Sequence, residues 1–374
     1  MIIGVDIREW QPGRYTGIGR FLEEFVRTAA AMRPHDRFLL VGDAGCEARV
    51  RAGNVETVRI PERWTLWWDQ VTLARTLAGR AVNVFYSPYI KVPLFAACPV
   101  VSTFHDLTFF LLQEYNLTLR EICVNSLFLA FCRLVVRQAG ALMVDSEASA
   151  RDVQRLLGAN LSRLRIIPLA TSPQFRADGD RQRDAAVWKR YGLDDGYVLY
   201  VGGFSPHKNV PTLIRAHGAL PESLRAGHPL VVVGGPVPSP IRSLVQNQVG
   251  IGGLRCLGVV PEADLPALYR GAAIFAFPSR YEGFGLPVLE AMSCGVPVLC
   301  STAPALMELT GGAAVHLNPD DESAWAGALA SLLGDAVRRE RLAIAGRARI
   351  ALYSPDRMTG AILKVLDEVG VCRR

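Results

Sequence analysis

Two short segments hold the residue types from which an anion site can be built. The first, Gly202-Gly203-Phe204-Ser205-Pro206-His207-Lys208-Asn209, directly follows the apolar run Tyr197-Val198-Leu199-Tyr200-Val201. Paired glycines let a backbone approach a ligand closely, and Lys208 offers one mobile cation to a phosphate. The chain has only four lysines, at 91, 189, 208 and 364, against 37 arginines, so a lysine here is less interchangeable than an ordinary surface cation. The same segment also reads as a strand-to-helix turn with a solvated lysine.

The second segment, Ser279-Arg280-Tyr281-Glu282-Gly283-Phe284-Gly285-Leu286-Pro287-Val288-Leu289-Glu290-Ala291, follows Ile274-Phe275-Ala276-Phe277-Pro278. Gly283 and Gly285 free the turn and Pro287 suits a first helical turn, so the amides around Phe284 and Leu286 stand at a helix entrance that favours an anion. Glu290, three residues after Pro287, is expected near that entrance, where a carboxylate accepts two hydrogen bonds from a vicinal diol such as ribose. Glu282, before the helix, is expected to hold hydroxyls of a second sugar. The alternative is that both acids only complement the helix dipole.

Short apolar, β-branched runs alternate with helix-length segments throughout, the pattern of parallel sheets covered by helices. Strands are predicted over 2–7, 38–42, 84–87, 100–104, 142–146 and 164–168, and then over 197–202, 230–234, 274–278 and 296–301. A chain of 374 residues exceeds what one core ordinarily supports, so two domains with a cleft between them are expected. The mixed stretch 171–196, with Pro173, Gly179 and the charged run from Asp178 to Asp184, marks a linker or an entry helix. The expected organisation is 1–172, 173–353 and a terminal helix over 354–374, which packs on one of the two cores. In open parallel sheets, ligands collect beyond the carboxyl ends of strands, where both segments lie.

Composition narrows the function classes. A formal charge of +6, dispersed along the chain with no basic stripe interleaved with aromatics, argues against nucleic acid and leaves a weak pull toward anionic membrane. Eight cysteines without a C-x-x-C pair or a histidine at ligand spacing predict reduced thiols in a cytosolic protein, with no zinc site. The amino-terminal Met1-Ile2-Ile3-Gly4-Val5-Asp6 reads as a strand rather than an export signal, and the apolar stretch from Ile122 to Val136 is too short to cross a bilayer. The sequons at Asn116 and Asn160 therefore read as chance matches.

Glu282 through Glu290 resembles the Glu-x7-Glu motif of glycosyltransferase family 4, the group 1 family, and the resemblance extends over most of the chain. It implies a GT-B fold, two doubly wound Rossmann-like domains facing a central cleft, and transfer of a hexose from a nucleotide sugar with retention and without a metal. Thr16-Gly17-Ile18-Gly19-Arg20 resembles the family's glycine-rich amino-terminal loop, and His105-Asp106 its histidine against the donor sugar. Gly202 to Asn209 is similar to relatives carrying Pro-Arg-Lys-Asn, many of them mannosyltransferases of surface-polysaccharide assembly, so GDP-mannose is the first donor. Two departures stand out. Gly203 occupies the place of a common arginine, and His207 replaces the second basic residue.

The resemblance thus implies Lys208, Glu282 and His105 as catalytic, and Gly17, Gly19, Gly203, Gly283, Phe284, Gly285, Leu286 and Glu290 as donor-binding. Arg20, His207 and Arg280 are candidates to support the diphosphate. The implied acceptor is a glycan or polyprenyl-linked glycan on the first domain, at the inner face of the cell membrane. Trp64, Trp67 and Trp68, with Tyr86-Ser87-Pro88-Tyr89 and Phe109-Phe110, lie nearest its path, as core packing or as membrane contact. Val144-Asp145-Ser146-Glu147-Ala148-Ser149 fits a strand-to-helix turn capped by Ser146 or Ser149.

Rival readings remain on sequence grounds. A metal-dependent transferase has only Asp178-Gly179-Asp180 as a D-x-D, in the polar linker rather than at a strand end. A UDP-sugar transferase, a nucleotide-sugar epimerase of the same fold and a non-catalytic nucleotide-sugar-binding subunit are the others.

Overall fold

Seven strands form one parallel sheet: β1 (Ile2–Asp6), β2 (Arg37–Gly42), β3 (Val55–Arg59), β4 (Val84–Ser87), β5 (Val100–Phe104), β6 (Ala141–Val144) and β7 (Leu164–Ile166), in the order β3-β2-β1-β4-β5-β6-β7. Six more form a second: β8 (Tyr197–Val201), β9 (Leu230–Val233), β10 (Leu254–Gly258), β11 (Ala272–Phe277), β12 (Val298–Ser301) and β13 (Ala314–Leu317), in the order β10-β9-β8-β11-β12-β13. This computed structural model describes residues 1–13, 16–61, 64–112, 118–250 and 253–371. Asn116 and Cys372 lie outside the described residues.

Central strands covered on both faces read as unbroken apolar runs, as Tyr197-Val198-Leu199-Tyr200-Val201 does, and that is why they are legible. The strands the sequence reading passes over, β3, β10 and β13, all lie at sheet edges. Half-exposed edges admit polar residues, so Val55-Glu56-Thr57-Val58-Arg59 loses the apolar signal.

The chain divides into two compact units, Met1–Ser172 with Tyr353–Arg374, and Pro173–Leu352. The terminal helix Pro355–Val371 belongs to the first, where it packs on the helix Gly17–Met32 and buries Met358, Ile362, Leu363, Val365 and Leu366. Arg33 meets Asp367 at 2.6 Å, and at Gly140 a Cβ would stand 2.5 Å from Val369, so only glycine lets the helix lie that close.

Within 171–196 the structure has the helix Arg181–Arg190. Asp180 is its N-cap, its Oδ1 accepting from the Gln182 amide at 2.9 Å, while Asp178 is exposed beside Arg176. The second aspartate of the D-x-D thus serves a helix start.

The three neighbouring tryptophans divide. The helix Thr65–Trp67 passes through a π-turn, Trp68–Thr72, into Leu73–Gly79. The wider turn places the consecutive residues Trp68 and Asp69 both inward, and Trp68 donates its indole N–H to the Ile60 carbonyl at 3.0 Å. Trp64 and Trp67 stay exposed. Among the described residues no helix is long and apolar enough to cross a membrane.

Each sheet has one place where the strand order reverses. The chain builds β1-β2-β3 to one side and then crosses to β4, and likewise β8-β9-β10 before crossing to β11. Connections leave β1 and β4, or β8 and β11, in opposite directions, so their carboxyl ends open a crevice.

Candidate active site

In the second unit the crevice is walled by the loops that follow β8 and β11, the two segments singled out by residue type. Tyr200, stacked on Phe277, donates its hydroxyl to the Gly203 carbonyl at 2.8 Å and fixes the start of the first loop. Burial, with a smaller push from the Glu282 charge, raises this phenol well above its ordinary range, so it remains a donor. A Cβ at Gly234, beyond β9, would lie 1.9 Å from the Gly202 carbonyl oxygen, so the loop rests directly on backbone. Gly203 faces open space. The loop closes at Asn209, left-handed at φ +53°, whose side-chain amide donates to the Pro319 carbonyl at 2.6 Å and whose oxygen accepts from Thr212.

The second loop is stitched to the first. The Arg280 amide donates to the His207 carbonyl at 2.7 Å, and the buried Ser279 hydroxyl reaches the same carbonyl at 3.1 Å. This registry brings Lys208 Nζ to both oxygens of Glu282, at 2.7 and 2.9 Å. The pair is mostly sheltered, with side-chain exposures of 21% and 10%. Lys208 also stands 5.4 Å from the Phe277 ring centroid. A cation and a carboxylate 74 residues apart in sequence are therefore preplaced side by side.

Gly285, at φ +112°, ends the second loop as the N-cap of the helix Leu286–Ser293. A Cβ there would meet Leu306 at 2.5 Å, so both conformation and space require glycine. Gly283 and Phe284 are buried under the turn, and Leu286 opens the helix.

Two side chains of this segment already have protein partners. Arg280 Nε meets Asp320 at 2.8 Å and its fork lies by the Pro206 carbonyl. Glu290 is engaged as well. Being the fifth residue of the helix, one turn in, it is 2% exposed and accepts the Tyr269 hydroxyl at 2.8 Å.

The crevice of the first unit is a cavity of about 620 Å³ lined from β1, β2, β4 and β5 by residues that include Arg8, Asp43, Lys91 and His105. Asp6, at the end of β1 and wholly buried, takes Arg8 at 2.7 Å and the Tyr89 hydroxyl at 2.5 Å. Arg8 also reaches Asp69 at 2.6 Å and lies 4.2 Å over the Trp68 ring, so the π-turn and the strand end share one guanidinium. Burial works against that charge, but Asp6, Tyr89 and Asp69 hold it protonated.

His105 donates or accepts through Nδ1 with Asp145 at 2.7 Å and meets Phe21 edge to face. Burial lowers its pKa, but the Asp145 charge and hydrogen bond, aided by Asp106 and the Pro88 carbonyl, more than offset that and leave it raised. The strand-to-helix turn thus favours the protonated imidazole, and Ser146 is the cap of the following helix, accepting from the Ser149 amide at 3.0 Å.

Gly17 and Gly19 occupy the first turn of the helix Gly17–Met32 rather than a free loop, with Thr16 as N-cap accepting from the Gly19 amide at 3.0 Å. Arg20 lies half-buried in the next turn. The Trp10 indole donates to the Gly19 carbonyl at 3.0 Å, which anchors this entrance.

These sites can be set beside known proteins. An O-antigen chain mannosyltransferase B of Escherichia coli is 34% identical over 262 residues, which cover 69% of this chain and 68% of that protein. The family model "Glycosyl transferases group 1" matches residues 186–349, the stretch that contains Lys208, Glu282 and Glu290. The chain belongs to the group 1 glycosyltransferases. A serotype-specific mannosyltransferase WbdA of Escherichia coli is 31% identical over 225 residues, but those residues span only 27% of that protein's length. The sucrose-phosphate synthase of Thermosynechococcus elongatus has the same fold, with a TM-score of 0.79 over 99% of both chains at 20% identity. The fold class of this glycosyltransferase is GT-B, with parallel α/β units of seven and six strands.

In this glycosyltransferase the sequence reading missed Asp6, Arg8 and Asp145. The available signal was position: Asp6 ends β1, Arg8 lies two residues beyond it and Asp145 directly follows β6, where ligand-facing loops begin. Tyr89 was noticed only as an aromatic, without its bond to Asp6.

Proposed function

We propose that this glycosyltransferase moves a hexose, mannose from GDP-mannose in the first instance, to a glycan or lipid-linked glycan acceptor in surface-polysaccharide assembly. Transfer retains the anomeric configuration and needs no metal. The observation that carries the reading is the Lys208–Glu282 pair at the mouth of the β8/β11 crevice, 2.7 Å apart beside a helix start. A departing nucleoside diphosphate gathers negative charge, and Lys208 with the amides before Leu286 stabilises it without reorganisation at the moment of reaction. Glu282 then turns to the hydroxyls of the sugar. The similarity to an O-antigen mannosyltransferase supports mannose as the sugar.

In this scheme the acceptor hydroxyl attacks the anomeric carbon from the leaving-group side. The bond to the diphosphate breaks, and a donor phosphate oxygen takes the acceptor's proton, so no enzymic base is required. Glu290 serves the ribose through a carboxylate oriented by Tyr269, and Gly203, Gly283, Phe284 and Gly285 let the backbone close on the donor. His207 completes its surroundings within this unit.

Thermal unfolding with GDP, UDP and ADP tests the donor. A ligand at 100 times its dissociation constant stabilises by about 2.7 kcal/mol, so GDP is expected to raise Tm most. A larger shift with UDP transfers the reading to a UDP-sugar donor. Initial rates are expected to survive exhaustive chelation; loss restored by manganese or magnesium selects the metal-dependent rival. An isomer formed from donor alone marks an epimerase, and binding without transfer to any acceptor marks a non-catalytic subunit.

A further inference from the structure

The edge strand β13 ends in a loop that touches both walls of the β8/β11 crevice, although β12 stands between β13 and those strands. That loop, 318–321, is firmly held. Asn318 Oδ1 accepts from the Asp320 amide at 3.0 Å, and the wholly buried Trp325 donates its indole N–H to the Asn318 carbonyl at 2.9 Å. Asp321 caps the helix Glu322–Gly334, accepting from the Ala324 amide at 2.9 Å. That helix packs on Val210–Gly218, which begins directly after Asn209. At the other end of the loop, the Thr302 amide beyond β12 donates to the Leu317 carbonyl at 2.9 Å.

From this anchor two contacts reach the Lys208–Glu282 pair. The Pro319 carbonyl takes the side-chain amide of Asn209, the residue after Lys208, at 2.6 Å. Asp320 Oδ1 takes Arg280, two residues before Glu282, through Nε at 2.8 Å and Nη2 at 2.7 Å, and also meets the Asn209 amide nitrogen at 3.4 Å. One carboxylate thus touches both loops. Lys208 has need of such bracing, because it closes a single 3-10 turn, Pro206–Lys208, and left-handed Asn209 then redirects the chain into the next helix. By charge alone Asp320 is ill placed here, since an acid beside loops that receive a diphosphate repels it and occupies Arg280. Geometry accounts for it instead: a misplacement of about 1 Å at a preorganised group costs on the order of 10²-fold in rate.

We propose that Asp320 is a positioning residue of the transfer: with the Pro319 carbonyl and Asn209 it clasps the two loops in the register that sets Lys208 against Glu282. The inference rests on the proposed function, in which Lys208 faces the departing diphosphate. Asp320 itself touches neither donor nor acceptor and acts through the loops.

Calorimetric titration with GDP and with UDP tests it, reading whichever binds the wild type more tightly. Asp320→Ala is expected to lower that affinity about tenfold, and Asp320→Asn, whose amide oxygen still accepts from Arg280 and Asn209, to recover most of it. Asn209→Gly keeps the left-handed backbone, drops the amide and should lose as much as Asp320→Ala. The Asp320 side chain is 58% exposed and an exposed pair adds little to stability, so the Asp320 variants should keep the wild-type Tm. In a Lys208→Ala background, itself weakened, Asp320→Ala should cost less than about threefold, because the group it positions is gone. An equal loss with and without Lys208 marks a general structural effect and overturns the clasp. Unchanged or tighter binding by Asp320→Ala overturns it too, tighter binding meaning that Asp320 acts by its charge or by withholding Arg280. Failure of the underlying reading looks different: the wild type binds neither nucleotide, or Lys208→Ala binds as the wild type does.

Discussion

The two strand-order reversals share one topology and carry opposite chemistry. Between β1 and β4 the crevice is lined by Glu9, Asp43 and Asp106 beside Lys91 and His105, and the buried guanidinium of Arg8 is shared by Asp6 and Asp69. Between β8 and β11 it presents glycines, a helix start and Lys208, whose partner Glu282 is itself a candidate ligand group. Topology fixes where a ligand goes, and loop residues decide which ligand that is. In the first unit one guanidinium is shared between two carboxylates, a floor that suits hydroxyls. In the second a single exchangeable pair leaves a cation to give.

The sharpest way to break this contrast is to remove that cation. Lys208→Ala is expected to lower turnover about 10²- to 10³-fold, the ordinary loss for a preorganised charge donor, and Lys208→Arg to recover little because a planar fork cannot occupy the same point. Near-normal rates in a folded, donor-bound Lys208→Ala protein would place the clamp elsewhere, with His207 and Arg280 the candidates in the same unit.

A subtler division separates the two glutamates. Glu282→Ala should lower turnover of the nucleotide sugar while leaving the affinity for free GDP nearly intact, whereas Glu290→Ala should weaken GDP itself. The buried Tyr269 hydroxyl then loses its acceptor, at a further cost of about 1–3 kcal/mol in stability. Calorimetric titration of both variants decides it, and equal damage to nucleotide binding contradicts the division.

The smallest effect belongs to the first unit. Because the folded pKa of His105 is raised, its pairing with Asp145 stabilises below the unfolded histidine's pKa of about 6.5 and is lost as pH rises through the folded value, while burial raises the Asp145 carboxyl and opposes the pair toward acid. Asp145→Asn should therefore cost about 1–3 kcal/mol at pH 6 and progressively less in alkaline solution. Chemical unfolding across that range reads the difference directly, and a pH-independent cost would mean that the imidazole is not held as a cation.

How far the sequence sufficed follows from the range of each signal. Buried strands and the Glu282–Glu290 loop were legible because burial, turn glycines and helix starts are encoded within a dozen residues. Lys208–Glu282 was not, since its contact depends on β8 and β11 being neighbours, and neither segment announces that alone. Arg280 stood only as a candidate support for the diphosphate, because nothing local points to Asp320, 40 residues away. The same limit hid Asp145 behind His105 and placed Glu290 at a surface that Tyr269 covers.

The terminal helix has a consequence in time. Pro355–Val371 completes the first unit, yet all of Pro173–Leu352 must be synthesised before it exists. At about 5–20 residues per second that is a wait on the order of 10–40 s. During it, Gly140 and the helix Gly17–Met32 lack the cover they finally receive. The contiguous second unit is whole before the ribosome finishes, so the order of birth on the ribosome is reversed in the order of completion: the half that emerges first is the half that closes last.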